Sequence, residues 1–388
     1  MTHSDVTGRI TPQELIEILQ SLVRTPSVNP PGDTRECADR MVALFQKEGI
    51  PVEKVPASDK LINVVAKLKG RGPGKTMLYN GHMDVVPAGA DWKWDPWGAE
   101  LVDGRIYGRG ASDDKGGLAA MMGSMFALKR AGCPFNGEIL FTAVADEETG
   151  SDAGTVWLIK KGKIKADYAI VGEPTFNSVE IGNRGTLWVE ITIIGKGSHA
   201  GRPHLGINAV HNAARAIIAL DRLEFPDRDE LFEVPNGSVS VTMIQGGTKI
   251  NTLADRCTIS IDRRMMPSHD VEEALEQIRQ TVAGSLEEGA DFDMKVLKVW
   301  PPVMMDPDHI LVKTVADAFE SVHGFRPKIR AKAGGTDASF IKGMLGVPIV
   351  LHGPGGADRV HVANEYVTVD ELVNASQVYT LATLKLLS

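Results

Sequence analysis

The order of elements changes partway along the chain, and this constrains the fold more than any other feature. Early on, short apolar β-rich runs alternate with helical patterns. Asn63 to Leu68, Met77 to Tyr79, Ile139 to Val144 and Tyr168 to Val171 read as strands, and Leu118 to Leu128 as a helix rich in Ala and Met. Far downstream, Val347 to Leu351 reads as a further strand and Val369 to Leu387 as the last helix. Apolar strands alternating with helices predict a mostly parallel sheet covered on both faces. From about Gly185 to Val299 the order differs. Leu187 to Ile194 reads as a strand, Ile207 to Leu223 as a helix, Val239 to Ile244 and Cys257 to Ile261 as strands, Val271 to Leu286 as a helix and Phe292 to Val299 as a strand. That order is βαββαβ, the ferredoxin-like split unit. The expected fold is therefore α/β, with residues 1–182 and 300–388 forming one domain and 183–299 an inserted α+β domain. The 388 residues agree, since single cores stop growing near ~250–300 residues.

At the N-terminal end, Thr11-Pro12-Gln13-Glu14 predicts a helix start. Thr supplies the cap, Pro the first helical position and Glu the third residue of a capping box. Leu15, Ile18, Leu19 and Leu22 then recur at helical spacing. The segment Trp92 to Trp97 is an aromatic loop, suited to covering sheet edges or to touching a ligand.

Charge and composition exclude several functions. A formal charge of −8 argues against a nucleic-acid partner, which requires a Lys/Arg surplus on one face. No apolar run reaches the ~18 residues of a membrane span. The first residues lack a basic segment followed by an apolar stretch, so a cytoplasmic protein is expected. Cys37, Cys133 and Cys257 are odd in number and far apart, which speaks against a disulfide framework or a thiolate zinc site. Any metal must be held by His and carboxylates.

Such residues follow the strands. His82-Met83-Asp84 follows the Met77 strand, Asp146-Glu147-Glu148 the Ile139 strand, and Glu173-Pro174 the Tyr168 strand. The Val347 strand leads through a Gly-rich turn to His361, and Asp113 stands in the loop before the Leu118 helix. In open α/β sheets, ligands bind outside the carboxyl ends of the strands. Imidazole and carboxylate together suit zinc, and also cobalt or manganese. With two divalent ions and His82, Asp113, Glu148, Glu173 and His361 as ligands, three carboxylates leave one positive charge, which a bridging hydroxide cancels. A site near neutrality can be buried without a large desolvation cost. Asp84, two residues after His82 on extended backbone, projects to the same side and can accept from the imidazole N–H. Adjacent Glu147 and Glu148 point differently, so one can bind metal while the other faces a water, the pairing that hydrolysis at neutral pH requires.

These segments resemble the dizinc metallopeptidase family that contains aminoacylases, acetylornithine deacetylase, succinyl-diaminopimelate desuccinylase and glutamate carboxypeptidase. The matching stretches are Gly81 to Pro87, Tyr107 to Gly117, Asp146 to Gly150, Gly172 to Thr175, Gly197 to Ala200, Gly334 to Ala338 and His361 to Glu365, in family order along nearly the whole chain. The resemblance implies that His82 and Glu173 hold one metal ion and Glu148 and His361 the other, with Asp113 bridging. It makes Glu147 the general base, Asp84 the residue that orients His82, and Asp113-Asp114 a cis peptide. His199 would meet the oxyanion from the partner subunit, so the inserted domain would serve as a lid and dimerisation domain of a homodimer. Asn251, Arg263, Gly335 and Thr336 would contact the substrate. Some relatives carry Arg where this chain has Ser339, and Asn183-Arg184 keeps one of two arginines common in the family. The implied activity is hydrolysis of an N-acyl amino acid by a zinc pair that cobalt may replace, in a deacetylase or desuccinylase. A dipeptidase or a glutamate-type carboxypeptidase is the enzymatic alternative, and a catalytically silent binding module the alternative from another class.

Overall fold

The computed structural model describes residues 3–176 and 178–388. The first two residues of the segment read as free of a leader therefore lie outside the described residues. The chain forms two compact units. One comprises the chain up to Gly182 with Met305–Arg330 and Thr336–Ser388, and the other comprises Asn183–Met304 with Ala331–Gly335.

In the first unit, strands Thr76–His82, Glu138–Val144, Tyr168–Val171 and Ile349–Leu351 run parallel at the centre of the sheet. Ile62–Lys69 and Val52–Pro56 extend it antiparallel on one side. The central strands are buried almost end to end, as the apolar runs require. This is the mostly parallel sheet expected of the sequence. Helix Lys115–Arg130 is buried from Lys115 through Leu128. The helix Pro12–Val23 begins as its sequence dictates. The Thr11 hydroxyl accepts from the Glu14 amide at 3.2 Å, and Glu14 Oε2 accepts from the Thr11 amide at 2.9 Å.

Several elements were not evident in the sequence. Val52–Pro56 buries one side chain of five, so no apolar alternation marks it. Strands Glu100–Val102, Arg105–Tyr107 and Tyr366–Thr368 make a small antiparallel sheet from pieces too short to show a period. The aromatic loop packs against it, with Trp94 stacked on Tyr107 at 3.8 Å.

The second unit is a four-stranded antiparallel sheet in the order Ser238–Gly246, Arg256–Met265, Gly185–Ile194, Asp291–Trp300. Helices Ala209–Asp221 and Val271–Ser285 pack on one face through Ala213, Ala216, Leu220, Ile278 and Val282. They meet Leu187, Val189, Ile191, Ile259 and Ile261, which alternate along their strands. Asn208 and Asp270 cap the two helices with side-chain acceptors. The βαββαβ order read from the sequence is thus the observed one.

Candidate metal centre

Three chemically loaded segments of the first unit begin where a strand ends. His82 is the last residue of Thr76–His82, Glu147–Thr149 form a short turn after Glu138–Val144, and Glu173 follows Tyr168–Val171. Asp113 sits before helix Lys115–Arg130, and the Asp113–Asp114 peptide is cis. His361 lies in the turn after Ile349–Leu351, with a left-handed φ of 61°.

These side chains converge. His82 Nε2 lies 3.1 Å from Asp113 Oδ1, and His361 Nε2 lies 3.3 Å from Asp113 Oδ2 and 3.4 Å from Glu148 Oε1. Ligand atoms of His82, Asp113 and Glu173 fall within 4.8 Å of one another, and so do those of Asp113, Glu148 and His361. Asp113 is common to both groups and turns one oxygen to each histidine.

The electrostatics call for cations. Burial and the neighbouring Glu173 hold the Glu147 carboxyl well above its ordinary range. Burial likewise pushes Asp84 and Asp337 up to about 6 and Asp114 well above the usual carboxylate value. Burial disfavours a charged His82, but Asp113, Glu147 and Asp84 outweigh it and hold the imidazole well above its normal value. Hydrogen bonds from the His361 ring to the Asp113 and Glu148 carboxylates raise His361 to about 10. Left to itself, the cluster compensates its excess of carboxylates by holding protons. Divalent ions would replace those protons, and the imidazole–carboxylate donors suit zinc, cobalt or manganese.

Asp84 corrects one expectation. The Nδ1–H of His82 points to the Asp84 main-chain carbonyl at 2.9 Å, while Asp84 Oδ1 stands 3.7 Å away. The carboxylate is engaged elsewhere. Its oxygens accept from the amides of Glu147 at 3.1 Å and Glu148 at 3.2 Å, and from Asn29 Nδ2 at 2.9 Å. Asp84 thus fixes the His82 tautomer through its backbone and the glutamate turn through its side chain.

Other groups in the cluster carried no separate signal in the sequence. Asn29 also reaches Asp146 and Thr149, both at 3.2 Å. Asp114 is wholly buried in space that glycines leave open. A Cβ at Gly81 would stand 2.5 Å, and one at Gly117 2.2 Å, from its carboxylate oxygens. Asp337 is buried and accepts from the Ser151 hydroxyl. Glu365 accepts from the amides of Ser112 and Asp113 and pairs with Arg109.

The remaining candidates have the following local surroundings. His199 and Asn251 are exposed neighbours in the second unit, where the Ala200 amide donates to the Asn251 carbonyl at 3.0 Å. His199 Nδ1 accepts from the Gly201 amide at 3.0 Å, so a neutral His199 carries its proton on Nε2. Arg263 alternates with Ile259 and Ile261 on the helix-covered face of its sheet. It is buried over the Phe225 ring at 3.8 Å and donates to the Arg264 carbonyl at 2.9 Å. The adjacent Arg264 projects from the other face, paired with Asp262 at 2.7 Å. Gly335 packs against Trp300, where a Cβ would stand 2.9 Å from the indole. Thr336 is buried and accepts from the Ala338 amide at 3.2 Å.

Residues 78–385 match the model of peptidase family M20/M25/M40. The chain belongs to this family. It is a metal-dependent hydrolase. Among solved structures, an M20 family metallo-carboxypeptidase from Sulfolobus solfataricus is 21% identical, with 96% of this chain and 99% of that one covered at a TM-score of 0.81. A tripeptidase from Staphylococcus aureus is 24% identical, with 98% and 99% covered at 0.78. The YXEP protein of Bacillus subtilis, described as a dinuclear metal binding peptidase of the M20 family, is 19% identical, with 97% and 98% covered at 0.73. These likenesses show a shared M20 fold across the whole chain. Among the described residues, no helix is long and apolar enough to cross a membrane.

Proposed function

We propose that this M20 hydrolase cleaves the amide bond of an N-acyl amino acid, in a deacetylase or desuccinylase reaction. The observation that carries the hydrolytic reading is the bridging posture of Asp113, with one oxygen toward His82 and the other toward His361. In this reading His82 and Glu173 hold one divalent ion, Glu148 and His361 the other, and Asp113 both. The ions are zinc, and cobalt can substitute. Bound there, they supply Lewis-acid polarisation of the amide carbonyl and a more acidic water.

The protein's own groups do the rest. Glu147 belongs to neither ligand trio yet is buried beside them. It removes the proton from the attacking water and passes it to the departing amine. Asp84 holds the turn that separates Glu147 from Glu148. The Nε2–H of His199, contributed by the partner subunit of a homodimer, donates to the oxyanion. Asn251 contacts the substrate's carboxylate end.

A second reading is peptide cleavage. It draws on likeness to proteins described as a carboxypeptidase and a tripeptidase. One panel separates the two. N-acetyl, N-succinyl and N-carbamoyl amino acids are assayed beside di- and tripeptides, with zinc or cobalt added. Turnover of acyl amino acids alone is expected, and turnover of peptides alone would replace the first reading with the second.

A further inference from the structure

We infer that Glu365 is a positioning residue that sets the separation of the two candidate metal groups by gripping the backbone of Asp113. The inference rests on the two-ion reading of the centre. Glu365 is fully buried, and its side chain works in two directions. Oε1 accepts from the amides of both Ser112, at 2.9 Å, and Asp113, at 3.1 Å. Oε2 accepts from Arg109, itself buried, and the Gly108 amide donates to the Glu365 carbonyl at 2.9 Å. One residue later, Tyr366 opens the strand that pairs antiparallel with Tyr107.

Four residues before Glu365 stands His361, whose Nε2 lies 3.3 Å from Asp113 Oδ2. The segment 361–366 thus carries one proposed ligand and, through Glu365, holds the loop that carries the bridging one. An aspartate that serves two ions must keep both oxygens in place at once. Fixing its amide nitrogen removes the backbone freedom that would let the carboxylate swing to one side. Groups that orient ligands in this way typically change metal affinity 10–100-fold when removed. The His82 and Glu173 ligands hang on other strands and do not depend on this grip.

The test is metal binding by the full-length protein, measured by zinc titration against a competing chelator and by the visible spectrum of the cobalt form. Wild type is expected to bind two equivalents. Glu365→Gln keeps the size of the side chain but gives up the charge that faces Arg109. It is expected to bind the equivalent that His361 shares with Asp113 10–100-fold more weakly and the equivalent that His82 and Glu173 share with Asp113 less so, with the cobalt bands altered and with excess zinc restoring kcat. Arg109→Lys should weaken the same equivalent to a smaller degree, and it provides the test if Glu365→Gln does not fold. Two equivalents bound with wild-type affinity and spectrum in both variants would overturn the inference. Loss of both equivalents together with a lowered Tm would also overturn it, because Glu365 would then serve stability alone. A wild-type protein that binds no metal would instead overturn the two-ion reading itself.

Discussion

Glu147 sits among acids that repel its charge. Burial and Glu173 keep its carboxyl above the ordinary range, yet Asp84 secures its backbone amide. Replacing it with Gln preserves size and hydrogen-bonding capacity while removing the proton acceptor. Glu147→Gln should retain both metal equivalents and the fold while turnover falls roughly 10²–10⁴-fold. Steady-state kinetics beside metal analysis checks this, and near-normal turnover would remove Glu147 from the base role. At this scale the sequence was partly legible. The sites of His82, Asp84, Glu147, Glu148, Glu173 and His361 after strands could be read from apolar runs followed by polar ones, and that of Asp113 from the loop before the Leu118 helix. That Asp84 would bind two amides rather than the imidazole could not. A spacing of two sets the side of the chain, but which acceptor an N–H meets depends on a turn sixty residues away. The partners of Asn29, Asp114 and Asp337 escaped for the same reason, since no local pattern marks a polar group's contacts that are remote in sequence.

Elements position these residues and also impose a pH response. His352 follows strand Ile349–Leu351, and its amide donates to the Val171 carbonyl at 3.0 Å. Its ring is buried, with Nδ1–H directed to the Ser178 carbonyl at 3.0 Å. Burial lowers its pKa from 6.5 to about 4. The folded protein therefore refuses a proton that the unfolded chain accepts. Above about pH 6.5 neither state is protonated, and the group has no effect. As pH falls from about 6.5 to about 4, the unfolded state gains its proton first and stability declines by about 3 kcal/mol. Urea unfolding of wild type and His352→Gln across that range should show a steeper decline for wild type, and parallel curves would contradict the assignment. Element types followed from periodicity wherever runs were long. The central strands are apolar on both faces, and the strands of the second unit alternate because helices cover only one. The small sheet that joins Tyr107 to Tyr366 was not legible, because three-residue strands have no period and their partner lies hundreds of residues on.

At the scale of the molecule, all five proposed ligands belong to one of the two compact units. A ligand that binds only the folded state stabilises it by RT ln(1 + [L]/Kd), about 4 kcal/mol at a thousandfold excess over Kd. Chelation should therefore lower the unfolding transition of the first unit and leave that of the second in place. Scanning calorimetry with and without chelator resolves the two, and an equal shift of both would assign metal dependence to the second unit as well. The βαββαβ order of that unit and its interruption of the first were readable from the change of pattern near Gly185. The short return at 331–335 was not, since it carries no period of its own.

Asp113 comes before the inserted unit in the chain, and His361 comes after it. During synthesis, His82, Asp113 and Glu173 emerge from the ribosome while the residue that completes the second trio has yet to be translated. The second trio can therefore close only after the whole insertion has been made and the late turn has folded back onto the loop that carries Asp113.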